Sequence, residues 1–226
     1  MNSEKPAPGG SAEADVNKKI LVDFKLYLIT DRRLFTDDHA LFTAVEEALK
    51  GGVQAIQFRE KDLEIRELLR MAYSLRELTS GYRAKLFIND RVDVALAVDA
   101  DGVHLGGAGM PAFAARKASG EGMFLGASAH SFAEARKAEE EGADFVTLGP
   151  IFETPSKMKY GKPLGPELLR EVIKKISIPV FAIGGIKKER VESVLKSGAS
   201  GIALISAILG PGDIRANTEE FMRLLK

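Results

Sequence analysis

From Lys25 onward the chain switches repeatedly between two hydrophobic periods. Short apolar runs occur at KLYLIT (25–30), AIQFRE (55–60), KLFIND (85–90), GVHLG (102–106), FLGAS (124–128), FVTLGP (145–150), PVFAIGG (179–185) and GIALISAI (201–208). Their length and their β-branched and aromatic content predict buried strands. Between them lie HALFTAVEEALKGG (39–52), EIRELLRMAYSLRELTSG (64–81), SFAEARKAEEEGA (131–143), GPELLREVIKKI (165–176) and KKERVESVLKSGA (187–199). These carry apolar residues at helical spacing, and three of them end in glycine shortly before the next strand, as helix C-caps do. Strand starts recur roughly 17 to 34 residues apart, the size of a βα unit. Eight strands alternating with helices predict an α/β fold, a single TIM (β/α)8 barrel domain over residues 20–226. An open doubly wound sheet is the alternative, but the IGGI of strand seven lacks the glycine spacing of a dinucleotide fingerprint. Residues 1–19, rich in Pro, Gly, Ser and Ala, show neither period and read as a disordered tail.

The pattern breaks toward polarity at one end of each strand. Gln57, Arg59 and Lys61 alternate, so on an extended chain they share a face. Thr30, Asp31 and Arg32 follow strand one. Asn89, Asp90 and Arg91 close strand three, and Ser128 and His130 follow strand five. FETPSKMKYGKPLG (152–165) follows strand six, Gly184-Gly185 closes strand seven, and Ile205 and Ser206 close strand eight. In a barrel these C-terminal strand ends meet at one mouth, where active sites of this fold lie. The N-terminal strand ends are expected to carry no such cluster. Each feature also has a plainer reading. Arg59 and Lys61 fit rim salt bridges, Asn89-Asp90 fits a turn or helix cap, and His130 fits a helix start. His104, inside strand four, reads as a satisfied core histidine. Paired glycines fit tight packing as well as close approach to a ligand.

Charge narrows the options. Lys plus Arg is 32 and Asp plus Glu is 32, so no global field favours nucleic acid or an anionic membrane, and anion binding must be local. The absence of cysteine removes disulfides, thiolate metal sites and thiol nucleophiles. No apolar run reaches the ~18 residues of a membrane span, and the N-terminus lacks the apolar stretch of a secretory signal, so the expected location is the cytoplasm. The oligomeric state, a homo-oligomer included, is left open. The polar ends describe two anion positions: one glycine-built on strands seven and eight, one cationic on strands two and six. A carboxylate, Asp90, beside the cationic position suits a divalent metal, and Mg2+ bridging a diphosphate is the usual arrangement.

The motifs YLITDR, QFREK, NDR, DGVHLG, GASAHS, LGPIFETPSK, AIGGI and GASGIALISAI occur in an order and spacing that resembles the thiamine phosphate synthase family, from about Leu26 to Leu209. That resemblance implies joining of 4-amino-2-methyl-5-(diphosphooxymethyl)pyrimidine to 4-methyl-5-(phosphooxyethyl)thiazole with release of diphosphate. It implies that Gln57, Phe58, Arg59, Glu60 and Lys61, with Asn89, Ser128 and Lys157, line the pyrimidine diphosphate, and that Arg59, Lys61 and Lys157 act in catalysis. Thr154, Pro155, Ser156, Gly185, Ile205 and Ser206 would hold the thiazole phosphate, and Asp90 would bind Mg2+. One position departs: the family carries a second metal-binding Asp where this chain has Gly109, in GGAGMP. A Gly109→Asp change is expected to add that ligand, and Gly185→Val to block the phosphate without disturbing the barrel. The related thiazole tautomerases are the alternative, in which a histidine corresponding to His130 moves a proton.

Overall fold

The computed structural model describes residues 21–154 and 162–226; the expected tail lies outside them. Among the described residues there are eight strands: β1 (Leu26–Ile29), β2 (Ala55–Phe58), β3 (Lys85–Asn89), β4 (Gly102–Leu105), β5 (Phe124–Ala129), β6 (Phe145–Leu148), β7 (Val180–Ile183) and β8 (Gly201–Leu204). All neighbours are parallel, and β8 pairs with β1 to close the barrel. The helices are α1 (Asp38–Lys50), α2 (Ile65–Gly81), α3 (Val92–Ala97), α4 (Ala112–Ser119), α5 (Phe132–Glu140), α6 (Gly165–Ile173), α7 (Lys188–Lys196), α8 (Ser206–Leu209) and α9 (Ile214–Leu224).

Because side chains alternate along each strand, the closed sheet makes two cores. Leu26, Leu28, Ile56, Phe58, Leu86, Ile88, Val103 and Leu125 face outward and join the apolar stripes of the helices. Tyr27, Phe87, Phe124, Phe145 and Phe181 face inward with Phe24, which precedes β1. Ring centroids from 5.1 to 6.3 Å apart, many edge-on, fill the interior. Glycine makes room for them. A Cβ on Gly102 would lie 2.5 Å from the Phe87 ring, and one on Gly126 would lie 2.5 Å from both Phe145 and His104.

Two expectations are corrected. The eighth apolar run does not stay extended: β8 ends at Leu204, and Ser206–Leu209 turns into α8, closed by Gly210 N–H donating to Ser206 O at 2.9 Å. The N-terminal strand ends are not free of charged clusters either. Asp101, just before β4, accepts from the Leu86 amide at 2.8 Å and from Arg76 of α2 at 2.6 Å. Asp144, just before β6, repeats this with the Leu125 amide and with Arg116 of α4, each at 2.7 Å. At this end Lys25 also donates to Leu225 O at 3.0 Å, tying the start of β1 to the end of α9.

Candidate active site

At β2 the alternation seen in the sequence becomes geometry. Gln57 is buried inside the barrel and its Nε2 donates to Tyr27 Oη at 3.3 Å. Tyr27 Oη lies 3.4 Å from His104 Nδ1. His104 Nε2 lies 3.1 Å from Ser128 Oγ and 3.3 Å from Thr147 Oγ1. A buried polar layer from β1, β2, β4, β5 and β6 thus sits on the aromatic core. Burial brings the His104 pKa down to about 3, against a raising effect from Asp90, so its imidazole is neutral. Burial likewise raises the Tyr27 pKa well above its usual value, keeping the phenol protonated.

Beyond the end of β2, Arg59 is half-buried and Lys61, in the turn that follows, is exposed; the charges of both act on His104. Phe58 and Glu60 do not join them, because the period of two sends their side chains to the other side. Phe58 packs in the helix-facing core. Glu60 is buried and braces β1: it accepts from Thr30 Oγ1 at 2.7 Å and from the Arg32 amide at 3.1 and 3.2 Å. Thr30 Oγ1 in turn accepts from the Arg59 amide at 3.0 Å, so Glu60 holds the backbone that carries Arg59.

Asp90 follows β3 in a left-handed conformation, φ 60°. Its Oδ1 accepts from the Gly106 amide at 2.6 Å and its Oδ2 from Asn89 Nδ2 at 2.8 Å, with Lys61 Nζ 3.4 Å from Oδ2. Among the described residues no group of three or more His, Cys, Asp or Glu converges on one point. Asp90 could contribute a carboxylate to an Mg2+, but these residues build no protein cage for one. A Cβ on Gly109 would lie only 2.5 Å from Asp90 Oδ1 and 3.2 Å from Gly106 O. A Gly109→Asp side chain would therefore require the Asp90 carboxylate to shift.

After β5, Ser128 stays with the polar layer while His130 leaves it. His130 is exposed, and its amide and Nδ1 both meet Glu134 Oε2, at 2.8 and 3.1 Å, in the first turn of α5, which Ser131 caps. Its surroundings are those of a helix start. Across the mouth, Gly184 (φ +94°) and Gly185 (φ +64°) turn the chain in a region glycine favours. The Phe152 amide donates to Gly184 O at 3.0 Å, so the loops after β6 and β7 lie side by side. A Cβ on Gly185 would sit 2.5 Å from Glu153 O, so Gly185→Val would push the β6 loop away, contrary to the clean block expected. Arg190 of α7 donates to Gly185 O at 2.6 Å and lies 4.6 Å over the Phe152 ring. Ile205 and the exposed Ser206 begin the turn after β8. Thr154 is described, whereas Pro155, Ser156 and Lys157 lie outside the described residues. Sequence reasoning missed Tyr27, Thr147 and Arg190. The first two carry a signal, inward parity on their strands, whereas nothing local marks Arg190.

A (β/α)8 barrel whose single mouth joins a cationic rim to a glycine-turned loop defines a class: enzymes that handle phosphorylated small molecules. Residues 26–208 match the family model described as thiamine monophosphate synthase. The chain is 50% identical over 204 residues to a putative thiamine-phosphate synthase of Geobacter sulfurreducens, covering 90% of this chain and 95% of that one. It is 47% identical to the thiamine-phosphate synthase of Clostridium novyi, covering 86% and 95%. A solved thiamine phosphate pyrophosphorylase from Pyrococcus furiosus superposes with a TM-score of 0.81 at 45% identity, covering 89% of this chain and 95% of that one. The chain belongs to the thiamine monophosphate synthase family.

Proposed function

We propose that this barrel joins the pyrimidine diphosphate to the thiazole phosphate, giving thiamine phosphate and diphosphate. The observation that carries this reading is the placement of Arg59, Lys61 and Asp90 on one side of the mouth and the Gly184-Gly185 turn with Ser206 on the other. Two anionic substrates can be held there with their reacting ends between them. The C–O bond from the pyrimidine methylene to diphosphate breaks, and its electron pair leaves on diphosphate oxygen. The pyrimidine amino group supplies electrons to the cation-like methylene, and the thiazole nitrogen lone pair closes the new C–N bond. No protein base or nucleophile is needed. Arg59 and Lys61 stabilise the charge that grows on the departing group, an interaction strongest in the transition state. Asp90 would hold an Mg2+, which would supply positive charge against the departing diphosphate. Lys157 would add a third cation, and Thr154, Pro155 and Ser156 would complete the thiazole phosphate pocket. Among the described residues no helix is long and apolar enough to cross a membrane; the cytoplasm is the location we propose.

The test is a coupling assay with both substrates, with and without chelator, on the wild type, Arg59→Ala and Lys61→Ala. Loss of one preorganised donor should cost about 2.7–4 kcal/mol of barrier, roughly a hundredfold or more in turnover, with thiazole phosphate affinity little changed. Near-normal turnover in both variants would remove the assignment of Arg59 and Lys61. A wild type that only interconverts thiazole tautomers would replace the reading with a tautomerase.

A further inference from the structure

The buried layer beneath the mouth has a direction. Tyr27 Oη accepts from Gln57 Nε2, so its single proton is left for its other neighbour, His104 Nδ1. A neutral imidazole that accepts at Nδ1 carries its proton on Nε2. Two hydroxyl oxygens lie within reach of that N–H, and Ser128 Oγ, at 3.1 Å, is the nearer. A serine hydroxyl whose oxygen accepts from below has its own proton free to turn elsewhere. Ser128 is the member of this layer that is only half-buried, at the end of β5 where the mouth begins.

We infer that His104 is a positioning residue which, through the chain Gln57–Tyr27–His104, makes Ser128 a hydrogen-bond donor directed at a lone-pair acceptor of the bound pyrimidine diphosphate. This rests on the coupling reading for the identity of the ligand, but the polarity of the chain does not. The opposite polarity, with the Gln57 carbonyl accepting from Tyr27 and Nε2 accepting from Ser128, would occupy the serine proton inside the protein and leave the mouth without that donor.

The two arrangements differ in one observable atom. Two-bond proton–nitrogen correlation spectra of the 15N-labelled full chain at neutral pH should show His104 protonated at Nε2; a proton at Nδ1 overturns the inference whatever the enzyme's activity. Kinetics give a second, independent reading. His104→Leu removes the donor to Ser128 and should lower kcat/KM about tenfold, the scale of one net hydrogen bond. His104→Gln, whose amide N–H2 can occupy the place of Nε2–H, should recover most of that loss. Adding Ser128→Ala should cost the His104→Leu protein less than it costs the wild type. A folded His104→Leu protein as active as the wild type, or a His104→Gln protein no better than His104→Leu, counts against the positioning role. Failure of the coupling reading shows separately, as a wild type that forms no thiamine phosphate.

Discussion

Glu60 is a carboxylate inside the motif most associated with chemistry, yet its work is to hold Thr30 and the Arg32 amide in place. Burial pushes its pKa up, against lowering by the Thr30 hydroxyl and the Arg32 amide, with Asp31 nearby adding to the rise. A folded pKa above the unfolded one means that the folded chain holds the proton more tightly. The resulting stabilisation is complete below the ordinary carboxylate range and is lost as pH rises through the raised folded value. Glu60→Gln keeps an acceptor and a similar shape but cannot ionise. The Tm of the wild type minus that of Glu60→Gln should therefore fall as pH is raised from about 4 to about 7. Thermal melts across that range check this; a flat or rising difference would show that Glu60 is not held in the way described. The run of Gln57, Arg59 and Lys61 was legible from alternation alone. The same alternation could have excluded Phe58 and Glu60 as partners on that face; matching the motif as one string obscured it.

At the scale of elements, the loop from β7 to α7 depends on Arg190. Its guanidinium draws the Gly185 carbonyl toward α7. In a trans peptide the next amide points the opposite way, so the Ile186 N–H is turned from α7. Arg190 also stacks on Phe152, fixing the neighbouring β6 loop. Arg190→Met should raise the KM for thiazole phosphate about tenfold, as expected for one lost charge-assisted contact, while kcat changes much less. Steady-state kinetics with each substrate varied in turn check it, and an equal loss in the two KM values would argue for general loosening. Eight strands and most helices could be read from periodicity, since parallel strands in a barrel are apolar on both faces. Their ends could not. Pairing between neighbours, not composition, decides where β2, β6, β7 and β8 stop. The apolar SAIL of α8 suits either period until β8 runs out of partners.

The whole molecule separates the end that binds from the end that holds. Asp101 and Asp144 sit at the closed end, each joining a helix arginine to the second amide of a neighbouring strand. Asp144→Ala would leave the largely buried Arg116 with only the more distant, exposed Glu121 as a carboxylate and the Leu125 amide without its acceptor. Removing one partner of such a pair costs about 3 kcal/mol. Denaturant unfolding should show that loss, while KM for both substrates in the folded fraction stays as in the wild type; a changed KM would mean that the two ends communicate. These braces escaped the sequence reading because an aspartate before a strand looks like any turn residue until its arginine, 25 or 28 positions away, is placed beside it. The ring-filled interior has a consequence of another kind. Among the described residues, Phe24, Tyr27, Phe87, Phe145 and Phe181 pack across the barrel and fill its axis. Everything that reaches the polar layer must arrive and depart through one doorway. Two substrates and two products would share it, so a product that lingers at the rim would delay the exit of its companion and the entry of the next pair.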